Sequence, residues 1–194
     1  MSEILIIDTA TGITQEYRLD PLPLFDENHP MLKISIPEYT QPLPNPIMTN
    51  LVKRLTMTRK LYGGIGLSAN QCGVFERVFV IGTDHFDLAC INPKVIEASV
   101  DVLKMDEGCL SYPGLCVKID RPMWVQVEFT DEKGQTKQTR LDGLSARCFL
   151  HELDHMNGKR FIEYVGPVAL QIAKRKQEKM LKKVVRHKKK TNDR

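Results

Sequence analysis

The sequence predicts an α+β protein: antiparallel strands and hairpins packed around a central helix, with a further helix on the N-terminal side and another at the C-terminus. Three observations carry this expectation. Met123, Val125, Val127 and Phe129 alternate with Trp124, Gln126, Glu128 and Thr130, and Asp131-Glu132-Lys133-Gly134 turns the chain into a second extended segment at 135–141. That is the pattern of a hairpin with one wet face. Two other segments carry apolar residues at helical spacing and stop at glycine-containing pairs, and the strands do not alternate strictly with helices as they would in a parallel sheet.

Taken in order, residues 4–7 and 13–18 read as short strands of a small hairpin around the turn-rich Asp8-Thr9-Ala10-Thr11-Gly12. Seven prolines, at 21, 23, 30, 37, 42, 44 and 46, make residues 20–46 extended and loop-like, because each fixes φ and removes a backbone donor. Asn45 can then cap a helix with Pro46 in its first position. Its inward stripe is expected to be Ile47, Leu51, Val52, Leu55, Thr58 and Tyr62, ending at Gly63-Gly64. Short strands are expected at 77–81, 90–91 and 95–100, ahead of the hairpin. A second helix spans about 144–156 and stops at Asn157-Gly158, and a third spans about 167–185.

Composition bounds the rest. With 194 residues, 42% hydrophobic and 27% charged, the chain is too short for a large multidomain assembly and too apolar to be disordered throughout. No run approaches the roughly 18 apolar residues of a membrane span, and the first residues lack the basic flank and long apolar stretch of a secretion signal. A soluble, cytoplasmic protein without membrane contact is expected. Five cysteines, an odd number with no Cys-x-x-Cys pair, argue against a disulfide framework and a zinc ribbon. The net charge of +4 is uneven: residues 174–194 hold eleven Lys or Arg against Glu178 and Asp193, a net of +9, while the remainder nets −5. Such a tail attracts polyanions or is simply a solvated, fraying end.

His151-Glu152-Leu153-Asp154-His155 is the strongest local signal. On a helix, positions four apart lie one above the other, so both imidazoles can share a metal ion with Glu152 beside them as a general base. A catalytic ion needs a third protein ligand. Phe161 stands where the third histidine of one zinc-protease pattern belongs, Glu163 follows closely behind the helix-ending glycine, and Glu178 lies in the basic tail. Cys109, in Glu107-Gly108-Cys109-Leu110-Ser111, offers a sulfur ligand, or else a small buried core residue. The glycine-rich stretch 64–71 lacks the Lys-Ser/Thr of a phosphate loop and reads as a tight turn, with Gln71 supplying an amide that can donate to an oxyanion.

In this order, Gly64-Ile65-Gly66-Leu67-Ser68-Ala69-Asn70-Gln71, Glu107-Gly108-Cys109-Leu110-Ser111 and His151-Glu152-x-x-His155 resemble the peptide deformylase family over about residues 24–165, with Ser68 at a family alanine. The resemblance implies a metallohydrolase that removes the formyl group from N-formylmethionyl nascent polypeptides and releases formate. Cys109, His151 and His155 correspond to the metal ligands, usually for Fe(II), with zinc, nickel or cobalt as substitutes. Glu152 corresponds to the acid/base, and Gln71 and the Leu110 N–H to the oxyanion donors. Gly64, Ile65 and Gly66 would border the substrate, which pairs as an added strand, and Cys148, with the less apolar Arg147 beside it, would line the methionine pocket. The catalytic domain is expected over 1–185, with residues 1–23 an atypical N-terminal hairpin or arm and 186–194 a basic disordered tail. That tail resembles the terminal segment by which some members dock on the ribosome. The rival readings are a zinc endopeptidase, opposed by Phe161 and Cys109, and an idle metal- or RNA-binding relative, opposed by the intact reacting positions.

Overall fold

The computed structural model describes residues 3–7, 14–83 and 86–192. Near the N-terminus β1 (Glu3–Ile7) and β2 (Thr14–Arg18) pair antiparallel, with Glu3 opposite Arg18 and Ile7 opposite Thr14; residues 8–13, where the turn is expected, lie outside the described residues. The proline-rich segment follows as a wrap, interrupted by a single 3₁₀ turn at Pro30–Lys33. It is pinned to what it covers: Leu22 N–H donates to Thr58 Oγ1 (2.7 Å), Phe25 N–H to Gln71 O (2.9 Å) and Ile36 N–H to Met156 O (2.8 Å).

Helix α1 (Pro46–Leu61) begins as expected, with Asn45 Oδ1 accepting from Met48 N–H at 2.8 Å and proline in the first turn. Its inward stripe differs from the expected one at both ends. Ile47 is 81% and Tyr62 51% exposed, while Met48 is buried with Leu51, Val52, Leu55 and Thr58. Positions 48, 51, 52, 55 and 58 follow the 3–4 spacing of one helical face, and Ile47 falls off it. Gly63, with φ of 67°, then turns the chain back.

Strands β3 (Gly66–Ser68), β4 (Val78–Gly82), β5 (Asp87–Ala98), β8 (Trp124–Thr130) and β9 (Thr136–Asp142) form an antiparallel sheet in the order β3-β4-β5-β8-β9. Side chains of β4 alternate between two cores. Val78 and Val80 meet Leu51, Val52 and Leu55 of α1, whereas Phe79 and Ile81 meet helix α2 (Gly143–Met156). Phe79 and Phe149 of α2 pack edge to face at 5.1 Å. A second ribbon, β6 (Val102–Gly108) with β7 (Cys116–Pro122), closes the other side of α2, and α3 (Pro167–Asn192) lies against β7 through Leu170 and Ala173.

Four features differ from the sequence expectation. The two strands expected at 90–91 and 95–100 are one, β5, because Asn92 takes a φ of 50° and the ladder to β8 shifts register there instead of ending. Asn92 is held by a side-chain pair with Tyr39, Oδ1 accepting from its N–H and Nδ2 donating to its carbonyl, each at 2.8 Å. The glycine-rich stretch contains strand β3 as well as a turn. The pairing of β6 with β7 has no alternating signature: β6 is largely exposed, and in β7 the third inward position after Val117 and Ile119 is Arg121. Helix α3 runs seven residues past Val185, so 186–192 continue the helix where a disordered tail was expected.

Candidate metal centre and active site

Helix α2 places His151 and His155 on one face, ring centroids 5.0 Å apart, as the four-residue spacing requires. Cys109 arrives from the end of β6, at the start of a turn closed by Tyr112 N–H donating to Cys109 O (2.9 Å). The three ligand atoms lie within 4.8 Å of one another, and His155 Nε2 is 3.3 Å from Cys109 Sγ. The expected ligand set therefore converges. Phe161, at the alternative ligand position, is buried and packs against the His151 ring at 5.6 Å, while Glu163 pairs with Arg160 and Glu178 with Lys182 on the surface.

Glu107, two residues before Cys109 and without an expected role, organises the site from behind. Its Oε1 lies 2.7 Å from His151 Nδ1 and 2.7 Å from Arg121 Nη2, and its Oε2 accepts from Arg121 Nε (3.2 Å) and Arg147 Nη1 (3.0 Å). Burial alone would raise the Glu107 carboxyl, but the bonds from His151 and Arg121 and the Arg121 charge hold it at about 2. It is thus an ionised acceptor at neutral pH, so His151 Nδ1 must be the donor and a neutral His151 turns its Nε2 lone pair toward Cys109. Arg121 is clamped on its far side by Asp154 Oδ2 (2.7 Å) and lies over the Tyr164 ring at 4.5 Å, and the Tyr164 hydroxyl donates to Asp154 Oδ1 (2.9 Å).

A cavity of about 370 Å³ opens in front, lined by Gly64, Ile65, Gly66, Gln71, Cys109, Leu110, Arg147, Cys148, His151 and Glu152 among others. Glu152 is 3% exposed, its Oε2 has no partner among the described residues, and burial pushes its carboxyl up to about 7. The glycines are there because other atoms are close. A Cβ on Gly64 would meet Leu110 Cδ1 at 2.6 Å, and one on Gly66 would collide with the Glu152 carboxylate and lie 2.8 Å from Cys148 Sγ. Gln71 sits in the one-turn 3₁₀ helix Ala69–Cys72. Its Oε1 accepts from Ser68 N–H (3.0 Å), and the Ser68 hydroxyl is 2.9 Å away. With the oxygen fixed, Nε2 must face the other way, toward Cys109 Sγ (3.3 Å) and Ser111 Oγ (3.1 Å). Asn70 Nδ2 donates to His155 O (2.7 Å), tying this turn to α2.

The donor set fits a divalent transition metal. One sulfur and two imidazoles make three protein ligands, the number a catalytic site supplies, and His151 has the carboxylate partner that orients metal-bound histidines. Burial opposes a protonated His151, yet the hydrogen bonds to Cys109 and Glu107 outweigh it and raise its pKa, while burial and the His151 charge lower that of His155. Glu107 was legible as part of the Cys109 motif. Arg121, Asp154 and Tyr164 carried no local signal.

Comparison with known proteins agrees with this site. The sequence matches the polypeptide deformylase family over residues 21–171, a span that excludes the β1–β2 hairpin and most of α3. A peptide deformylase of Thermotoga neapolitana is 38% identical over 116 residues, covering 60% of this chain and 71% of the relative. One of a Synechococcus species is 41% identical over 117 residues, covering 57% and 58%. The solved peptide deformylase of Synechococcus elongatus superposes with a TM-score of 0.76 at 32% identity, over 81% of this chain and 86% of that one. That of Legionella pneumophila gives 0.77 at 27% identity, over 86% and 98%. With the matched residues spanning both histidines, Cys109 and the Gln71 turn, the chain belongs to the polypeptide deformylase family of metallohydrolases.

Proposed function

We propose that this chain hydrolyses the N-terminal formamide of N-formylmethionyl nascent polypeptides in the cytoplasm, with one Fe(II) held by Cys109, His151 and His155 and zinc, nickel or cobalt able to replace it. The convergence of these three ligands with Glu152 and Gln71 at one cavity carries the reading. When bound, the ion would supply Lewis acidity and would lower the pKa of a water held beside it toward neutrality.

The chain's own residues supply the rest. Glu152, buried and with a carboxyl near 7, takes the proton of the attacking water and returns it to the leaving amine. Gln71 Nε2, aimed by the grip of Ser68 on its oxygen, donates with the Leu110 N–H to the developing oxyanion. A donor of this kind is worth about 3–4 kcal/mol. Because β3 is an outer strand of its sheet, Gly64, Ile65 and Gly66 border an edge to which an extended peptide can add, and Cys148 lines the methionine pocket. The basic C-terminal segment, with eleven Lys or Arg over residues 174–194, has the charge to contact ribosomal RNA.

The test is formate release from a short formyl-Met peptide by protein prepared without oxygen and loaded with Fe(II) or Ni(II). Turnover that disappears on chelation is expected. Absence of turnover with metal demonstrably bound would overturn the reading.

A further inference from the structure

Arg147 is a charged side chain lining a cavity to which Leu115, Leu144 and Cys148 contribute apolar wall and Asp106 and Glu107 contribute carboxylates. It lies one helical turn before His151 on α2 and is only 4% exposed. Its guanidinium makes three hydrogen bonds: Nη1 to Glu107 Oε2 (3.0 Å) and Ile119 O (3.1 Å), and Nη2 to Leu103 O (2.5 Å). A guanidinium carries five N–H groups. The Nε–H and one Nη2 hydrogen therefore have no partner among the described residues. Glu107 offsets the charge, so what this lining residue has left to give is two unpaired N–H donors more than positive potential.

An unused donor in a pocket holds water. A hydrocarbon tip displaces that water and leaves the donor unpaired, whereas a tip with an acceptor replaces the lost bond. An all-apolar pocket reverses the order, because it must strip the acceptor of water and return nothing. The methionine thioether, a weak acceptor, lies between these cases.

We propose that Arg147 determines side-chain specificity: the pocket takes an N-formyl residue with an unbranched apolar shaft and a hydrogen-bond acceptor near its tip, and it accepts N-formylmethionine sulfoxide at least as well as N-formylnorleucine. This rests on the deformylase reading above. The sulfoxide is the oxidised form of the methionine side chain, polar at its tip.

The experiment measures formate release from formyl-Met, formyl-norleucine and formyl-methionine-sulfoxide peptides of otherwise identical sequence, using metal-loaded wild type, Arg147→Met and Arg147→Lys. In wild type, the kcat/KM ratio of sulfoxide to norleucine is expected at or above one. Arg147→Met should lower that ratio at least about tenfold, and Arg147→Lys, which keeps a donor, less. Any uniform loss from disturbing Glu107 and His151 cancels in the ratio. A wild-type ratio below one, or a smaller change in Arg147→Met, overturns the proposal. Should Arg147→Met fail to fold, a wild-type ratio below one still overturns the proposal, and an Arg147→Lys ratio equal to that of wild type removes Arg147 as its cause. Turnover of norleucine with rejection of the sulfoxide sinks this inference alone, while no turnover of any formyl peptide sinks it together with the deformylase reading.

Discussion

Glu107 and His151 are 44 residues apart in the chain and 2.7 Å apart in space, the carboxylate receiving the imidazole Nδ1–H. Through this bond the β6–β7 ribbon sets the orientation of a side chain on α2. The same carboxylate anchors Arg121 and Arg147, so its position is fixed from three directions. Removing one partner from a buried ionic set of this kind costs roughly 3–5 kcal/mol, because the others are left uncompensated.

Glu107→Gln should therefore weaken metal binding by roughly 10–100-fold while Cys109, His151 and His155 remain. Titration against a competing chelator measures it. An unchanged affinity would mean that His151 needs no acceptor behind it.

The same carboxylate has an acid signature. Its pKa is held at about 2 against an ordinary 4.5. A group depressed in the folded state contributes stability that is complete above 4.5 and is lost as the pH falls toward 2. In metal-free protein, the difference in denaturation midpoint between wild type and Glu107→Gln should shrink across that window. A difference that stays constant there would remove Glu107 as the cause.

Glu152→Ala is expected to keep the metal and lose turnover by about 10²–10⁴-fold, the usual worth of a positioned acid/base. Metal content and formate release, measured on the same preparation, separate binding from chemistry. Substantial retained activity would give the proton transfer to another group.

Gly66→Ala tests the close approach of β3 to α2. The added methyl collides with the Glu152 carboxylate and crowds the Cys148 thiol, so Glu152 must move. Displacements of about 1 Å at reacting groups cost on the order of 10²-fold in rate, and kcat/KM should fall by that order with metal content preserved. Near-normal kinetics would show that Glu152 tolerates the shift.

What could be read without the fold was local. Asn45 and Pro46 start α1, Asn157 and Gly158 end α2, and the pairing of His151 with His155 follows from helical periodicity over a few residues. The β8–β9 hairpin was legible because Val125, Val127 and Phe129 are buried and the residues between them are not. Where pattern failed, a long-range partner had replaced local preference. Arg121 occupies an inward strand position because Glu107 and Asp154 neutralise it, and Asn92-Pro93 does not end β5 because Tyr39 satisfies the Asn92 side chain.

The sequence by itself determined an α+β chain, the helix that carries both imidazoles, and three motifs whose order indicates the family. Only the tertiary structure decided that Cys109 reaches the histidines, that Glu107 selects the His151 tautomer, that Ser68 aims the Gln71 amide, and that the Arg147 guanidinium is held by Glu107 and the carbonyls of Ile119 and Leu103. The physical reason is range. Helical spacing, caps and alternation act between residues a few positions apart, whereas burying a charge or aiming a donor requires partners that only folding brings within about 3 Å.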